Sequence, residues 1–168
     1  MLGELRDDKV IVGSDPQIQR LLQRGFGVEV EGRYELSLLE AAFLMERGTL
    51  EVEERRRQID KKTLWKKAVD EEDFHRRYEV YRDLRTRGYV VKTGFKFGAH
   101  FRVYDKGEFS QKGHSTFLVH TLPEDAVMSL PELARIVRLT QSVKKRLVFA
   151  VVDSEADITY FQIDRIIP

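Results

Sequence analysis

The chain contains no cysteine. That absence excludes a disulfide framework, a thiolate nucleophile and a sulfur-ligated zinc site. Any metal would depend on four histidines and on carboxylates. His100, His114, His120 and Asp125 are the available set, but no His-x-His or helical histidine pair preorganises them, so neither a metal nor another cofactor is expected. No stretch approaches the roughly 20 apolar residues of a membrane span. The opening residues, Met1-Leu2-Gly3-Glu4-Leu5-Arg6-Asp7-Asp8, are charged where a signal peptide turns apolar, so a cytoplasmic protein without a membrane partner is expected. A global excess of one charge is missing too: the net charge is +1, and no basic field announces nucleic acid. Residues 1–85 carry a small acidic excess and residues 86–168 a small basic one, so local clusters matter more than the sum.

With 168 residues and 42% hydrophobic side chains, the chain suffices for one ordinary domain or two small ones. It shows no internal repeat and no low-complexity segment. The first half reads as short strands alternating with helices. Val10-Ile11-Val12 suits a strand, and Ser14-Asp15-Pro16 offers a cap and first turn to a helix ending near Gly25. Val28 to Leu36, turning at Glu31-Gly32-Arg33, predicts a hairpin. Ser37 and Glu40 have the spacing of a capping box before the apolar run Leu38 to Met45, with Gly48 as the stop. Leu50-Glu51-Val52 is followed by a long charged region. In it Leu64, Trp65, Ala68 and Val69, then Phe74, Tyr78, Tyr81 and Leu84, recur at helical spacing, predicting one helix ending near Asp70 and another at Gly88. Arg55-Arg56-Arg57, Lys61-Lys62 and Lys66-Lys67 read as a solvated helix face.

After Gly88 the period changes. Tyr89 to Thr93, Phe95 to Phe97, Phe101 to Tyr104 and Thr116 to His120 are short aromatic or β-branched runs broken by glycine, which suit a mostly antiparallel sheet. Ser129, Pro131 and Glu132 start a helix whose Leu133, Ile136, Val137 and Thr140 face a core. Strands Leu147 to Val152 and Ile158 to Ile166 follow, joined by the acidic turn Asp153-Ser154-Glu155-Ala156-Asp157. The expected class is α+β: a helix-rich N-terminal α/β domain over residues 1–85, then a mixed-sheet α+β domain over residues 86–168.

Three segments of the second half carry reactive groups at the edges of rigid elements. Phe101-Arg102-Val103-Tyr104 ends a strand before Asp105-Lys106-Gly107; Lys112-Gly113-His114-Ser115 opens the next; Ser142-Val143-Lys144-Lys145-Arg146 enters a buried strand. Tyr104 and His114 are both expected to point from the sheet rim toward solvent. Taken singly, a tyrosine at a strand end is a rim residue, a histidine after glycine is a turn residue, and a lysine pair entering a strand guards an edge. His75 is expected on an exposed helix face, while His100 and His120 are expected to satisfy sheet neighbours.

Jointly these segments resemble the catalytic domain of archaeal-type tRNA-splicing endonucleases. The match includes Phe101 to Tyr104, His114-Ser115, Val143-Lys144-Lys145, Ala150-Val151-Val152-Asp153 and Thr159-Tyr160. Leu36-Ser37-Leu38-Leu39-Glu40-Ala41-Ala42 resembles their N-terminal domain, so the likeness covers almost the whole chain. It departs at Ala99-His100, where many members carry an acidic residue. The resemblance implies a nuclease domain in which Tyr104 is the general base, His114 the general acid and Lys145 the electrostatic stabiliser. Lys145 is preferred to Lys144 because the family lysine stands two residues after the valine. Attack of the RNA 2′-hydroxyl on its own phosphate would leave a 2′,3′-cyclic phosphate and a 5′-hydroxyl, with no metal required. An imidazole, with a reference pKa of about 6.5, can donate near neutrality; a phenol, at about 10, needs nearby cations to act as a base there.

The same resemblance implies a precursor tRNA with a bulge-helix-bulge as partner. Arg138 would stack on a splayed bulge base, with Arg135 and Lys144 as further RNA contacts. Asp153, Glu155 and Asp157 would dock on another subunit, and the last strands would pair subunits, giving a homotetramer built as a dimer of dimers. Two other classes compete. One is a non-catalytic structural subunit or RNA-binding module of the same fold; the other is a metal-dependent DNA nuclease, for which no convincing Asp/Glu-x-Lys element stands beside a strand.

Overall fold

The computed structural model describes residues 1–68, 70–110 and 113–168. Val69, expected at helical spacing in a helix ending near Asp70, and Lys112, expected to open a strand, lie outside the described residues. The chain divides into two compact units, Met1–Tyr78 and Glu79–Pro168. Both mix helices with a mixed sheet, as an α+β chain should. No helix of the described residues is long and apolar enough to cross a membrane.

The first unit contains β1 (Leu2–Arg6), β2 (Lys9–Val12), α1 (Ile18–Gln23), β3 (Val28–Val30), β4 (Arg33–Ser37) and α2 (Leu38–Glu46). Next come β5 (Glu51–Glu54), β6 (Arg57–Ile59) and α3 (Lys61–Trp65), and α4 (Glu71–Thr86) runs on into the second unit. The strands form one sheet in the order β3-β4-β2-β1-β5-β6, antiparallel except where β1 lies parallel to β5. Alternation selects the inward face: Leu5, Val10, Val12, Tyr34, Leu36 and Val52 are buried. Helix α2 supplies much of the apolar partner, burying Leu38, Ala41, Ala42, Phe43 and Leu44.

The junction between β4 and α2 depends on one carboxylate. Glu40 is buried, yet its two oxygens accept from the Ser37 backbone N–H at 2.9 Å and from the Gly27 N–H at 2.9 Å. The Ser37 hydroxyl in turn accepts from the Glu40 N–H at 3.3 Å, completing the capping box expected from the spacing. Glu40 therefore does more than cap α2, because it also fixes the segment that leads into β3. Trp65, at the end of α3, meets Phe74 and Tyr78 of α4 at ring separations of 6.3 and 5.3 Å.

Several expectations for this half need correction. The segment Arg55-Arg56-Arg57 is not a helix face: Arg55 and Arg56, with φ of 50° and 65°, are the tip of the β5–β6 hairpin, and Arg57 begins β6. A charged edge hairpin offers almost no apolar period to read; Val52 is its one buried side chain. Strand β1 was hidden for a related reason, since glycine stands at one of its inward positions. Helix α1 starts at Ile18, later than Ser14-Asp15-Pro16 suggests, because Asp15 turns the chain by accepting from the Gln17 N–H at 2.8 Å.

The second unit holds the C-terminal half of α4, β7 (Val90–Thr93), a 3-10 turn (Phe95–Phe97), β8 (Phe101–Tyr104) and β9 (Phe117–Pro123), followed by α5 (Leu130–Ser142), β10 (Arg146–Val152) and β11 (Ile158–Ile163). The sheet order is β11-β10-β9-β8-β7. All its pairings are antiparallel except β9 with β10, the two strands that α5 connects. On one face Tyr81 of α4 approaches Phe101 at 6.2 Å, and the Tyr160 hydroxyl of β11 donates to Asp83 at 2.8 Å.

Phe95 to Phe97 was expected as a strand and is a turn. The loop closes tightly on Gly94, whose N–H donates to the His100 carbonyl and whose own carbonyl accepts from Ala99. A Cβ on Gly94 would stand 2.8 Å from the Ala99 carbonyl oxygen, so only glycine fits. In α5, Val137 and Thr140 are buried as expected, whereas Leu133 and Ile136 are only half-buried and Leu130 and Leu139 are exposed. Strand β11 ends at Ile163, short of the expected Ile166, and Phe161, Ile166 and Ile167 are exposed.

Removing the Glu40 carboxylate tests the junction of β4 and α2. Glu40→Ala leaves the Ser37 and Gly27 N–H groups without that acceptor and should cost about 3 kcal/mol in chemical denaturation, the loss of a cap plus a buried unpaired donor. Glu40→Gln, which keeps one acceptor oxygen, should cost less.

Candidate active site

Sheet topology brings three separate segments to one rim. Because β8 runs antiparallel to β9, the C-terminal end of β8 lies beside the N-terminal end of β9; because β10 runs parallel to β9, its N-terminal end lies there too. Phe117 is opposite Val103 on one side and Arg146 on the other. Beyond the last paired residues the Thr116 N–H donates to the Val103 carbonyl at 2.8 Å, and the Arg146 N–H donates to the Thr116 carbonyl at 3.0 Å. Thr116 and Phe117 thus both lie against Val103, and Tyr104 and Lys145 each stand one residue outward of the row Val103, Phe117 and Arg146. His114 lies two residues before Thr116.

Lys145 is half-buried, and its ammonium donates to the Ser115 carbonyl at 2.7 Å. Ser115 is itself buried and follows His114, so the lysine grips the backbone that carries the imidazole. The same nitrogen stands 5.4 Å over the Phe97 ring. Burial, and then the nearby Arg102 charge, hold the Lys145 pKa below that of an ordinary lysine. Its neighbour behaves differently. Lys144 adopts a left-handed conformation (φ 56°) at the end of α5, with its N–H donating to the Gln141 carbonyl and the Lys145 N–H donating to the Thr140 carbonyl. This is the place a glycine normally occupies, and it costs a non-glycine residue roughly 1 kcal/mol. The bend leaves Lys144 exposed while Lys145 turns toward Ser115.

Tyr104 does not face solvent as expected. The residue is only 3% exposed, and Phe109, from the connection after β8, meets its ring edge-on at 5.1 Å. An apolar side chain in a connection of that length can fold back over the strand end, a possibility that the turn residues Asp105-Lys106-Gly107 conceal. His114 is exposed, but it does not open a strand, since β9 begins only at Phe117.

The remaining predicted residues are distributed around this rim. Arg135 and Arg138 are exposed on α5, the helix that leads to Lys145. In the acidic turn Asp153 is occupied locally, its carboxylate accepting from the Glu155 and Asp157 N–H groups at 2.9 Å each, while Glu155 and Asp157 are exposed. His75 is exposed on α4 as expected, edge-on to Trp65 at 5.0 Å. His100 serves a sheet neighbour, its Nδ1 accepting from the Thr121 N–H at 2.8 Å. The His120 ring lies 5.8 Å from that of His100, and burial lowers its pKa.

Sequence reasoning assigns no role to Phe97, Phe109, Ser115 or Arg102. For Arg102 a signal exists. Alternation along Phe101-Arg102-Val103-Tyr104 puts it on the same face as Tyr104, and its guanidinium carbon lies 5.9 Å from the centre of that ring.

Comparison with known proteins bears on the whole chain. Residues 1–65 match the family model of the tRNA intron endonuclease N-terminal domain, and residues 74–160 match that of the tRNA intron endonuclease catalytic C-terminal domain. A tRNA-splicing endonuclease of Thermococcus gammatolerans is 43% identical over 143 residues, covering 84% of this chain and 83% of the relative. One from Methanothermobacter thermautotrophicus is 38% identical over 167 residues, or 99% and 98% of the two chains. One from Methanosarcina mazei is 41% identical over 165 residues, which are 95% of this chain and 46% of that longer protein. With one family domain matched in each half and relatives this similar along nearly its full length, the chain belongs to the tRNA intron endonuclease family.

Proposed function

We propose that the chain is a tRNA-splicing endonuclease that cuts bulge-helix-bulge RNA at intron–exon junctions by attack of the substrate's own 2′-hydroxyl. In this reading Tyr104 accepts the proton of that hydroxyl, His114 protonates the departing 5′-oxygen, and Lys145 balances the charge that grows on the phosphate. The products are a 2′,3′-cyclic phosphate and a 5′-hydroxyl. Because the nucleophile is supplied by the RNA, base, acid and cation suffice, and no metal enters the scheme.

The hydrogen bond from Lys145 to Ser115 carries the reading. It joins the cation to the backbone beside the acid, on the rim where the strand bearing Tyr104 ends. An exposed imidazole is suitably placed to meet a leaving group on an RNA strand. Tyr104 must be uncovered, so Phe109 moves aside when RNA enters. Arg138, with Arg135 and Lys144, would grip bulged bases and phosphates near the cut. A homotetramer fits the exposed Phe161, Ile166 and Ile167 as apolar contacts and the exposed Glu155 and Asp157 as docking carboxylates.

Single-turnover cleavage of a bulged RNA in excess chelator tests the scheme. His114→Ala should slow cleavage by about 10²- to 10⁴-fold with RNA affinity retained. A 2′-deoxy residue at the cut site should abolish cleavage, and any cleavage of that substrate rules out the internal nucleophile. The pH dependence provides a second test. The ammonium form of Lys145 is the useful one, and its lowered pKa means that it is lost at a lower pH than for an exposed lysine. The wild-type rate should therefore fall on the alkaline side, while Lys145→Arg, slower at its best, should hold its rate there because a guanidinium stays charged.

A further inference from the structure

We infer that Arg102 is a further catalytic residue, a second cation that clamps the scissile phosphate opposite Lys145. The inference rests on the reading of Tyr104, His114 and Lys145 as the reacting groups. It starts from strand geometry. Arg102 and Tyr104 are two residues apart in β8 and share a face. Register carries that face across the sheet, from Arg102 to Leu118 and from Leu118 to Leu147, two residues inward from Tyr104 and Lys145. Arg102 is thus diagonal to Lys145, near enough for its charge to be felt there.

The second observation concerns what Arg102 lacks. Its Nε is shielded from solvent and has no hydrogen-bond partner among the described residues. A buried N–H left in this state costs about 1–3 kcal/mol. Arginine is normally spared that cost by a carboxylate on which its planar fork can lie. Here no carboxylate among the described residues forms an ion pair with Arg102 or with Lys145, whose ammonium is held by a neutral carbonyl. The Tyr104 ring centre lies 5.9 Å from the guanidinium carbon and offers its N–H donors no oxygen acceptor.

Two neighbouring cations without an anion, beside the groups that would move protons, form a receptor for one. The anion that fits is a phosphodiester. In the reaction the bond from the 2′-oxygen to phosphorus forms and the bond from phosphorus to the 5′-oxygen breaks. The 2′ proton passes to Tyr104, and the 5′-oxygen receives a proton from His114. Arg102 neither gives nor takes a proton. Its fork engages the non-bridging oxygens, whose negative charge is greatest in the five-coordinate state, so its contribution should appear in rate more than in affinity.

The test uses the full-length protein and single-turnover cleavage in excess chelator, with Arg102→Gln, Arg102→Lys, His114→Ala and Lys145→Ala measured side by side. Arg102→Gln should lower the rate at saturating enzyme by about 10²-fold, the effect of removing one preorganised donor. Its affinity for an uncleavable 2′-deoxy RNA should fall far less than the rate, and Arg102→Lys should recover part of the rate. A saturating rate equal to wild type, or a defect confined to affinity, overturns the proposal. Full-rate His114→Ala and Lys145→Ala together with slow Arg102→Gln would instead sink the reading of those two residues and leave the clamp standing. A readout without activity covers the case in which Arg102→Gln does not fold. The Nε–H resonance of Arg102 in the wild-type protein, assigned by its loss in Arg102→Lys, should shift on titration with inorganic phosphate. A resonance that stays still overturns the clamp.

Discussion

The parallel pairing of β10 with β9 is the constraint on which the catalytic unit depends. Antiparallel neighbours can be joined by a short turn, but a parallel neighbour requires the chain to return to the end from which it started, and α5 makes that return. The crossover delivers the N-terminal end of β10 to the same rim as the N-terminal end of β9, and the antiparallel β8 adds its C-terminal end. The segments that carry Tyr104, His114 and Lys145, separated by as many as 41 positions in the chain, thereby reach one edge. Had β10 paired antiparallel to β9, its first residue would stand at the opposite edge of the sheet, more than 15 Å away for a strand of that length.

At that rim the charges of Lys145 and Arg102 work against one another. Among the described residues neither forms an ion pair, and burial adds to the cost of the lysine's charge. Such an arrangement works against folding, and it persists because the packed sheet beneath it holds the strands in register. Stability comes from elsewhere in the unit, including the buried Leu118, Val119, Leu147 and Ala150 of the two central strands and the bond between Tyr160 and Asp83 that ties the edge strand to α4. In the first unit a buried charge has the opposite character. Glu40 is surrounded by N–H donors, so its carboxylate organises its surroundings.

Much of this was legible in the sequence where a residue's local chemistry decides its structure. The capping box at Ser37 and Glu40, the glycine at the end of α2, the Ser129 cap of α5 and the alternation of β8 all follow from short-range rules. The reading failed where tertiary contacts or charge obscured the local signal. Glycine-bracketed Phe95 to Phe97 has the composition of a strand, but the bond from Gly94 to His100 folds it into a turn. The β5–β6 hairpin is too polar to show a period, and its arginine tip lacks the glycine or asparagine that marks such turns. At the site, the family resemblance nominated Tyr104, His114 and Lys145, but it did not foresee that Phe109 packs on the tyrosine or that Ser115 anchors the lysine. Both contacts depend on how a connection folds back, which no periodicity encodes.

Lys144 and Lys145 are the same amino acid in adjacent positions, and a single left-handed residue between helix and strand gives them separate fates. One points to open water and the other to the carbonyl of Ser115. Identity at this spot is a matter of address more than of spelling. Inserting or deleting one residue before β10 would preserve a lysine doublet on paper while handing the inner post to a different neighbour.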